Sequence, residues 1–167
     1  KQGHFPSYIY RGYKTDIYEG GHRIPLIVSW KGKFSNETNN SLVSLTDFYA
    51  TFAQMVNHKL KDEEAVDSYS IWPILSKQGA SNRKDLVYES GKGYLSLRTP
   101  QLKLVFNGGS GGWGYPNKPA DLAQLPPMQL FNLKEDPSEK ENIIHDKCYE
   151  QEVKEMTQLI RKYVKEG

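Results

Sequence analysis

Residues that could carry out chemistry are concentrated near the start of the chain. Lys14 is followed by Glu19, the pair Gly20-Gly21 and Arg23, and an apolar run comes directly after them. An ammonium group can neutralise charge on an anionic substrate as a bond breaks, and such electrostatic stabilisation is often the largest catalytic contribution. Paired glycines predict a tight turn or a close backbone approach. Polar residues on a loop beside a buried strand are typical of α/β active sites.

These residues belong to the pattern Lys14-x-x-x-Tyr18-Glu19-Gly20-Gly21-x-Arg23-x-Pro25, followed by an apolar run and Trp30. The pattern resembles the late signature of the sulfatases, the formylglycine-dependent sulfuric ester hydrolases of the alkaline-phosphatase-like fold. The longer run from Gly3 to Lys14 is similar to the bacterial polysaccharide sulfatases. Two later blocks, residues 44–47 and 130–142, also resemble the family, so the resemblance covers nearly the whole chain.

The resemblance implies a role for Lys14, which would point at the sulfate of a sulfated carbohydrate or aryl sulfate. The family's Cys/Ser-x-Pro-x-Arg motif and its Asp metal ligands are not in this sequence, and Cys148 has the wrong neighbours to be the modified residue. The resemblance therefore implies the C-terminal part of a longer enzyme, inactive alone and partnered by its own N-terminal catalytic segment. Calcium would be bound upstream of this chain, and the enzyme would be periplasmic or extracellular.

Other candidate residues each have two interpretations. His4 is either a substrate-contact or proton-transfer group or a histidine that only hydrogen-bonds in its loop. Trp113 lies in a long glycine-rich and proline-rich segment, 108–127, and either stacks on a sugar ring or fills a lobe interface. Glu19 and Arg23 either lie at the substrate pocket or form a structural ion pair that holds the turn at Gly20-Gly21, and the structural interpretation is preferred. No pair of histidines has zinc-site spacing, so no metal site is predicted.

Composition narrows the class of protein. The chain has 167 residues, a net charge of +2 and 37% hydrophobic residues. The small charge gives no support for nucleic-acid or membrane binding. One cysteine excludes an internal disulfide framework. This length is enough for one domain or two small lobes.

The elements that must position these residues are predicted from hydrophobic patterning. The apolar run Ile24–Trp30 predicts a strand buried on both faces. The pattern of residues 46–57 predicts a helix capped by Thr46 or Asp47. Four apolar residues fall on one face of this helix: Phe48, Phe52, Met55 and Val56. Together these two elements resemble the end of a doubly wound α/β unit.

The second half of the chain has a β pattern. Strands are predicted at 86–89, 93–98, 101–106 and 128–133, with a hairpin at Thr99-Pro100 and an amphipathic helix at 149–164. The predicted fold is α/β (α+β for the isolated segment). It comprises the tail of an alkaline-phosphatase-like domain, residues 1–76, and a small four-stranded antiparallel subdomain with a terminal helix, residues 77–167.

Two other functions are alternatives. A phosphatase or phosphodiesterase of the same superfamily would need two metals and an upstream Ser or Thr nucleophile. A stand-alone carbohydrate-binding module would use Trp113 as its stacking platform, but a lone strand-to-helix unit does not make a complete sheet.

Overall fold

The computed structural model describes residues 3–166 of the chain. The helices are α1 (Glu19–His22), α2 (Asp47–Met55), α3 (Trp72–Leu75), α4 (Pro119–Leu122) and α5 (Glu150–Glu166), with a 3-10 turn at Lys147–Tyr149 before α5. The strands are β1 (Leu86–Glu89), β2 (Leu95–Arg98), β3 (Leu102–Val105) and β4 (Gln129–Asn132). The chain forms two compact units, one of residues Pro25–Leu86 and one that joins the residues up to Ile24 to those from Val87 onward.

The strands form one sheet in the order β1-β2-β3-β4. Strands β2 and β3 pair antiparallel with Leu97 opposite Leu104, and β3 and β4 pair antiparallel with Leu104 opposite Leu130. The predicted hairpin is present, because Thr99 N donates to Leu102 O at 2.8 Å. The predicted four-stranded antiparallel sheet is confirmed.

The two faces of this sheet are covered by different parts of the same unit. Leu97, Leu104 and Leu130 pack with Met156 of α5 on one face. On the other face, Ile17 and Tyr18 pack with Val105, Phe131 and Leu133. Because both faces are covered, every residue of β3 and β4 is buried. The terminal helix packs across the sheet as its apolar stripe predicts.

The free edge of β4 is covered at Leu130 by Asn142 and Ile143. Ile143 N donates to Leu130 O at 2.9 Å, and Leu130 N donates to Asn142 Oδ1 at 2.9 Å. Covering an edge strand in this way removes unpaired backbone groups that would otherwise attract another strand.

The unit Pro25–Leu86 is organised around a buried ion pair. Arg83 contacts the carboxylate of Asp47, which also accepts from Ser44 N at 2.8 Å and Tyr69 N at 3.0 Å. Helix α2 is present as predicted, but the side chain of Thr46 does not cap it.

Two predictions for this unit are wrong. Ile24–Trp30 forms no strand, and Ile27 is 89% exposed, because no described residue offers a neighbouring strand for its backbone groups. The predicted apolar face of α2 is not buried either, since Phe52 and Val56 are 57% and 73% exposed. The hydrogen-bonded residues Asp47 and Thr51 occupy the inner side of the helix instead.

The structural units group the chain differently from the predicted segments 1–76 and 77–167. Residues up to Ile24 associate with the sheet because Ile17 and Tyr18 are part of its core. The predicted boundary describes the domains of a longer enzyme and stays a prediction. Among residues 3–166, no helix combines the length and apolar character needed to cross a bilayer.

Candidate active-site loop

The loop that carries Lys14 is anchored from beneath by aromatic packing. Tyr18 is 1% exposed and makes an edge-to-face contact with Phe131, and the guanidinium of Arg11 lies 3.9 Å from the centre of the Tyr18 ring. The Tyr18 hydroxyl donates to Gln129 Oε1 at 3.1 Å. Burial raises the pKa of Tyr18 to about 12, so the phenol stays neutral near neutral pH.

The glycine pair allows the loop to fold back on itself. Gly20 N donates to Arg11 O at 2.7 Å, and a Cβ at Gly20 would overlap the carbonyl oxygen of Gly12. A Cβ at Gly21 would overlap the carbonyl oxygen of Asp16. The structure therefore has a close backbone approach at both glycines, within the short helix α1.

Glu19 belongs to a buried charge network rather than to a simple pair with Arg23. Its carboxylate lies 3.2 Å from Lys103 Nζ and 3.3 Å from Arg98 Nε, whereas Arg23 is 3.9 Å away. Glu139 completes the network, with Oε1 at 2.9 Å from Lys103 Nζ and Oε2 accepting from Glu19 N at 2.6 Å. No sequence pattern indicates this network, because Glu139 and Lys103 lie far from Glu19 in sequence and Lys103 lies within a predicted strand.

The two carboxylates of this network have opposite pKa shifts. Burial opposes ionisation of Glu19, but Lys103 and Arg98 outweigh it and hold the pKa of Glu19 below its ordinary value. Burial raises the pKa of Glu139 above its ordinary value, although Lys103 acts against this shift. Lys103 and Arg98 together therefore keep Glu19 ionised, whereas Lys103 compensates Glu139 only in part. The network fixes the start of α1, which follows Lys14 by five residues.

Lys14 lies on the exposed side of the loop. No hydrogen bond or ion pair joins its side chain to another residue in the described range 3–166. The backbone beneath it is fixed, because Asp16 N donates to Tyr13 O at 2.9 Å and Tyr13 N donates to Asp16 Oδ2 at 3.1 Å. An ammonium without an internal partner on a fixed turn is available to an anionic ligand.

The glycine-rich loop containing Trp113 lies directly against this turn. Trp113 N donates to Thr15 Oγ1 at 3.2 Å, and Gly114 N donates to Asp16 Oδ1 at 2.8 Å. The Trp113 side chain is 64% exposed. The structure therefore brings Lys14 and Trp113, ninety-nine residues apart in sequence, to the same part of one unit.

A second lysine joins this region through the turn between β1 and β2. Gly91 N donates to Thr15 O at 2.8 Å, and Lys92 N donates to Gly111 O at 3.0 Å. The Lys92 ammonium donates to Asn117 O at 3.1 Å. No sequence pattern indicates Lys92, because only tertiary contacts place it near Lys14 and Trp113.

His4 is exposed, and no hydrogen bond, ion pair or ring contact links it to another residue that the structure describes. The structure does not join it to Lys14 or Trp113 through such contacts. His22 is different, since its ring stacks on Tyr88 with centroids 4.6 Å apart, and burial lowers its pKa. His22 is therefore a packing residue.

The described residues do not fit a divalent cation site. Nowhere between residues 3 and 166 do three or more His, Cys, Asp or Glu side chains cluster as metal ligands would. These residues are therefore assigned no metal-dependent chemistry.

A cavity of about 470 Å³ lies elsewhere, between the sheet and α5. Its lining is largely apolar and includes Tyr94, Phe106, Met128, Ile160 and Val164. Arg161 and Lys165 also line this cavity. The candidate site remains the surface around Lys14 and Trp113, because Lys14 belongs to the motif that resembles the sulfatases.

Comparison with known proteins finds matches to sulfatases. Residues 3–58 match the family model described as Sulfatase. The chain is 31% identical over 158 residues to an N-acetylgalactosamine-6-O-sulfatase of Bacteroides thetaiotaomicron, a match that covers 95% of this chain and 30% of that relative. It is 28% identical over 142 residues to arylsulfatase A of Homo sapiens, covering 78% of this chain and 28% of the relative.

A solved structure from work on glycosaminoglycan metabolism by Bacteroides thetaiotaomicron has the same fold. It superposes with a TM-score of 0.79 at 29% identity and covers 96% of this chain and 33% of that one. The chain is similar to sulfatases over nearly its whole length, and it spans about 30% of the length of the curated relative from Bacteroides. The predicted resemblance and fold class are confirmed.

Proposed function

We propose that this chain is the C-terminal part of a longer sulfatase, called the parent enzyme below, that hydrolyses sulfate esters of sugars. The proposal is carried by one hydrogen-bonded surface that holds Lys14 and the exposed indole of Trp113. The Lys14 side chain has no hydrogen-bond or ion-pair partner among residues 3–166. A sulfated sugar has an anionic group and an apolar ring face, and this surface offers a partner for each. The N-acetylgalactosamine-6-O-sulfatase relative supports a sugar as the carrier of the sulfate.

The parts of the site have separate roles in this proposal. The ammonium of Lys14 neutralises charge on the sulfate oxygens as the sulfur–oxygen bond breaks. The indole of Trp113 stacks on the sugar ring, and His4 contacts the substrate from the preceding loop. Glu19, Gly20, Gly21 and Arg23 do not touch the substrate and hold the shape of the loop.

The rest of the chemistry is assigned to the N-terminal segment of the parent enzyme. A formylglycine there supplies the nucleophile, and a calcium ion there holds the sulfate. The proposed location of the parent enzyme is periplasmic or extracellular, as for the bacterial polysaccharide sulfatases that the sequence resembles.

The proposal is tested by measuring what the parent enzyme releases. It is incubated with a sulfated monosaccharide, an aryl sulfate and an aryl phosphate, and free sulfate and phosphate are measured. Sulfate release from both sulfate esters, with little phosphate release, is expected. Phosphate release as the main activity would favour the phosphatase alternative, and glycan binding without release of either anion would favour the carbohydrate-binding module.

The role of Trp113 is tested by substitution in the same assay. Trp113→Ala is expected to raise KM for the sulfated sugar about fivefold and to leave the aryl sulfate reaction nearly unchanged, because a lost ring stack costs about 1 kcal/mol. Trp113→Phe keeps an aromatic face and should retain most of the affinity. Equal effects on both substrates would contradict the stacking role.

A further inference from the structure

Asp16 is a buried carboxylate two residues after the exposed Lys14. It is 0% exposed, and its two oxygens accept hydrogen bonds from different segments. Oδ2 accepts from Tyr13 N at 3.1 Å within the lysine turn, and Oδ1 accepts from Gly114 N at 2.8 Å in the tryptophan loop. Hydrogen bonds to an ionised acceptor are stronger than neutral ones. One side chain therefore links the two segments that carry the candidate substrate contacts.

The glycines of the tryptophan loop make room for this carboxylate. A Cβ at Gly114 would overlap Asp16 Oδ2, and a Cβ at Gly112 would lie 2.5 Å from Asp16 Oδ1. From the other side, a Cβ at Gly12 would lie 3.0 Å from Asp16 Cβ. Real Cβ atoms do not approach within 2.5 Å, so the contact with Asp16 explains why Gly112 and Gly114 are glycines.

The residue between Lys14 and Asp16 has a strained backbone. Thr15 has φ 80°, a left-handed conformation that is an outlier for a β-branched residue. It is held there by Trp113 N, which donates to its Oγ1, and by Gly91 N, which donates to its carbonyl oxygen. Strain of this kind persists only where the surroundings over-determine the conformation, and it is frequent at ligand sites.

We propose that Asp16 is a positioning residue that fixes Lys14 and Trp113 relative to each other. The sulfate group and the sugar ring of one substrate are then recognised by a single hydrogen-bonded unit with a set spacing. This proposal rests on the proposed function, because it assigns Lys14 to the sulfate and Trp113 to the sugar. It adds the residue that makes the two contacts interdependent and selects sugars whose ring and sulfate match that spacing.

Two substitutions test the hydrogen bonds that the Asp16 carboxylate accepts. Asp16→Ala removes both acceptors, whereas Asp16→Asn keeps the shape and one acceptor but turns an amide N–H toward the other donor. Asp136→Ala is the matched control, because Asp136 Oδ2 also accepts from two backbone amides, Lys140 N at 2.6 Å and Glu141 N at 2.9 Å, in a turn that does not carry Lys14 or Trp113.

The readout is the ratio of kcat/KM for a sulfated monosaccharide to kcat/KM for an aryl sulfate, measured with the parent enzyme. Asp16→Ala is expected to lower kcat for both substrates about tenfold or more, because charge-assisted hydrogen bonds are lost. It should also lower the sugar preference as much as Trp113→Ala does. In the double variant the loss of sugar preference should equal that of either single variant, since the two residues act as a unit.

A second pair of variants keeps the proposal testable if Asp16→Ala does not fold. Gly114→Ala pushes on the same carboxylate from the opposite side and should reproduce the loss of sugar preference. Gly79→Ala is its control, because a Cβ there would meet only Pro73 Cβ at an ordinary 3.5 Å. Hydrogen exchange of the unsubstituted parent enzyme should also show protected amides at Tyr13 and Gly114.

The outcomes distinguish this proposal from the proposed function. If Lys14→Ala lowers turnover but Asp16→Ala and Gly114→Ala behave like their controls, the positioning role is overturned and the sulfatase assignment stands. If the Asp16→Ala and Trp113→Ala effects on sugar preference simply add, the positioning role is also overturned. If Lys14→Ala retains full turnover, the role assigned to Lys14 is wrong. An effect of Asp16→Ala on turnover would then not arise from the position of Lys14, and the positioning role of Asp16 would be overturned as well.

Discussion

Replacing Lys103 by methionine tests how the sheet holds the candidate active-site loop. Lys103 is 0% exposed and stands between two carboxylates, 3.2 Å from Glu19 and 2.9 Å from Glu139. Methionine has a similar shape but no charge, so Lys103→Met leaves both carboxylates buried without the cation that compensates them.

The size of the effect follows from these contacts. An ion pair at about 3 Å contributes roughly 5 kcal/mol of Coulomb energy at an effective dielectric constant of about 20, before desolvation is subtracted. Breaking a buried pair by removing one partner costs about 3–5 kcal/mol. Glu139 can take up a proton and relieve part of this cost, so we expect a loss of about 3 kcal/mol, which lowers Tm by about 10 °C for a chain of this size.

Thermal and urea unfolding of the 167-residue chain measure this loss. The matched control is Lys154→Met, because Lys154 pairs with Glu150 at 2.7 Å with both side chains more than half exposed, and such a pair contributes at most about 1 kcal/mol. Burial already raises the pKa of Glu139 while Lys103 acts against that shift, so removing Lys103 should raise the pKa of Glu139 further in the folded state. Stability of Lys103→Met should therefore fall further as pH rises above 4.5, the ordinary value for a glutamate. Equal stability losses in Lys103→Met and Lys154→Met would refute the reasoning.

Three further predictions concern single contacts. Because burial lowers the pKa of His22 below 6.5, the unfolded chain takes up the proton first, so stability should fall as pH drops below 6.5. His22→Phe keeps the stack on Tyr88 and should lose this acid sensitivity, and an unchanged pH profile of Tm would contradict it. Arg83→Gln leaves the buried carboxylate of Asp47 unpaired and should lower the free energy of unfolding by about 3 kcal/mol, measured by urea titration. In the parent enzyme, the double variant with Arg83→Gln and Trp113→Ala is compared with Arg83→Gln alone. Its affinity for sulfated sugar should be lower, but its stability should be the same. A further shift of the urea midpoint would indicate a packing role for Trp113.

The second half of the fold is predictable from sequence because local interactions decide it. The hairpin at Thr99 is closed by contacts over three residues, and α5 has an apolar stripe that buries Met156 and Ile160. Alternating residues and turn formers are enough to specify such elements.

Elements that depend on distant partners are not predictable in this way. The run Ile24–Trp30 has the composition of a buried strand, but a strand also needs a neighbour, and no described residue provides one. The apolar face of α2 is exposed because the buried pair of Asp47 and Arg83 draws the polar side of the helix inward. A hydrophobic pattern does not reveal a competing ion pair thirty-six residues away.

The candidate site shows the same limit. Lys14 and the close approach at Gly20-Gly21 are found from a short motif, since all their determinants are adjacent in sequence. Asp16 lies inside that motif at a position that the motif does not specify. Its partner Gly114 is ninety-eight residues later, and the contact between them appears only in the folded chain. Glu139 and Lys103 were missed for the same reason.

The most direct test of the account is the activity of Lys14→Ala in the parent enzyme, compared with Lys140→Ala as an exposed lysine outside the loop. Sulfate release from a sulfated monosaccharide is measured, together with Tm for each variant. Lys14→Ala should lower kcat/KM by about a hundredfold or more at unchanged Tm, because the lost interaction forms with charge that develops in the transition state. Lys140→Ala should match the unsubstituted enzyme. Turnover in Lys14→Ala equal to that of Lys140→Ala would contradict the central claim and leave the loop as a structural turn.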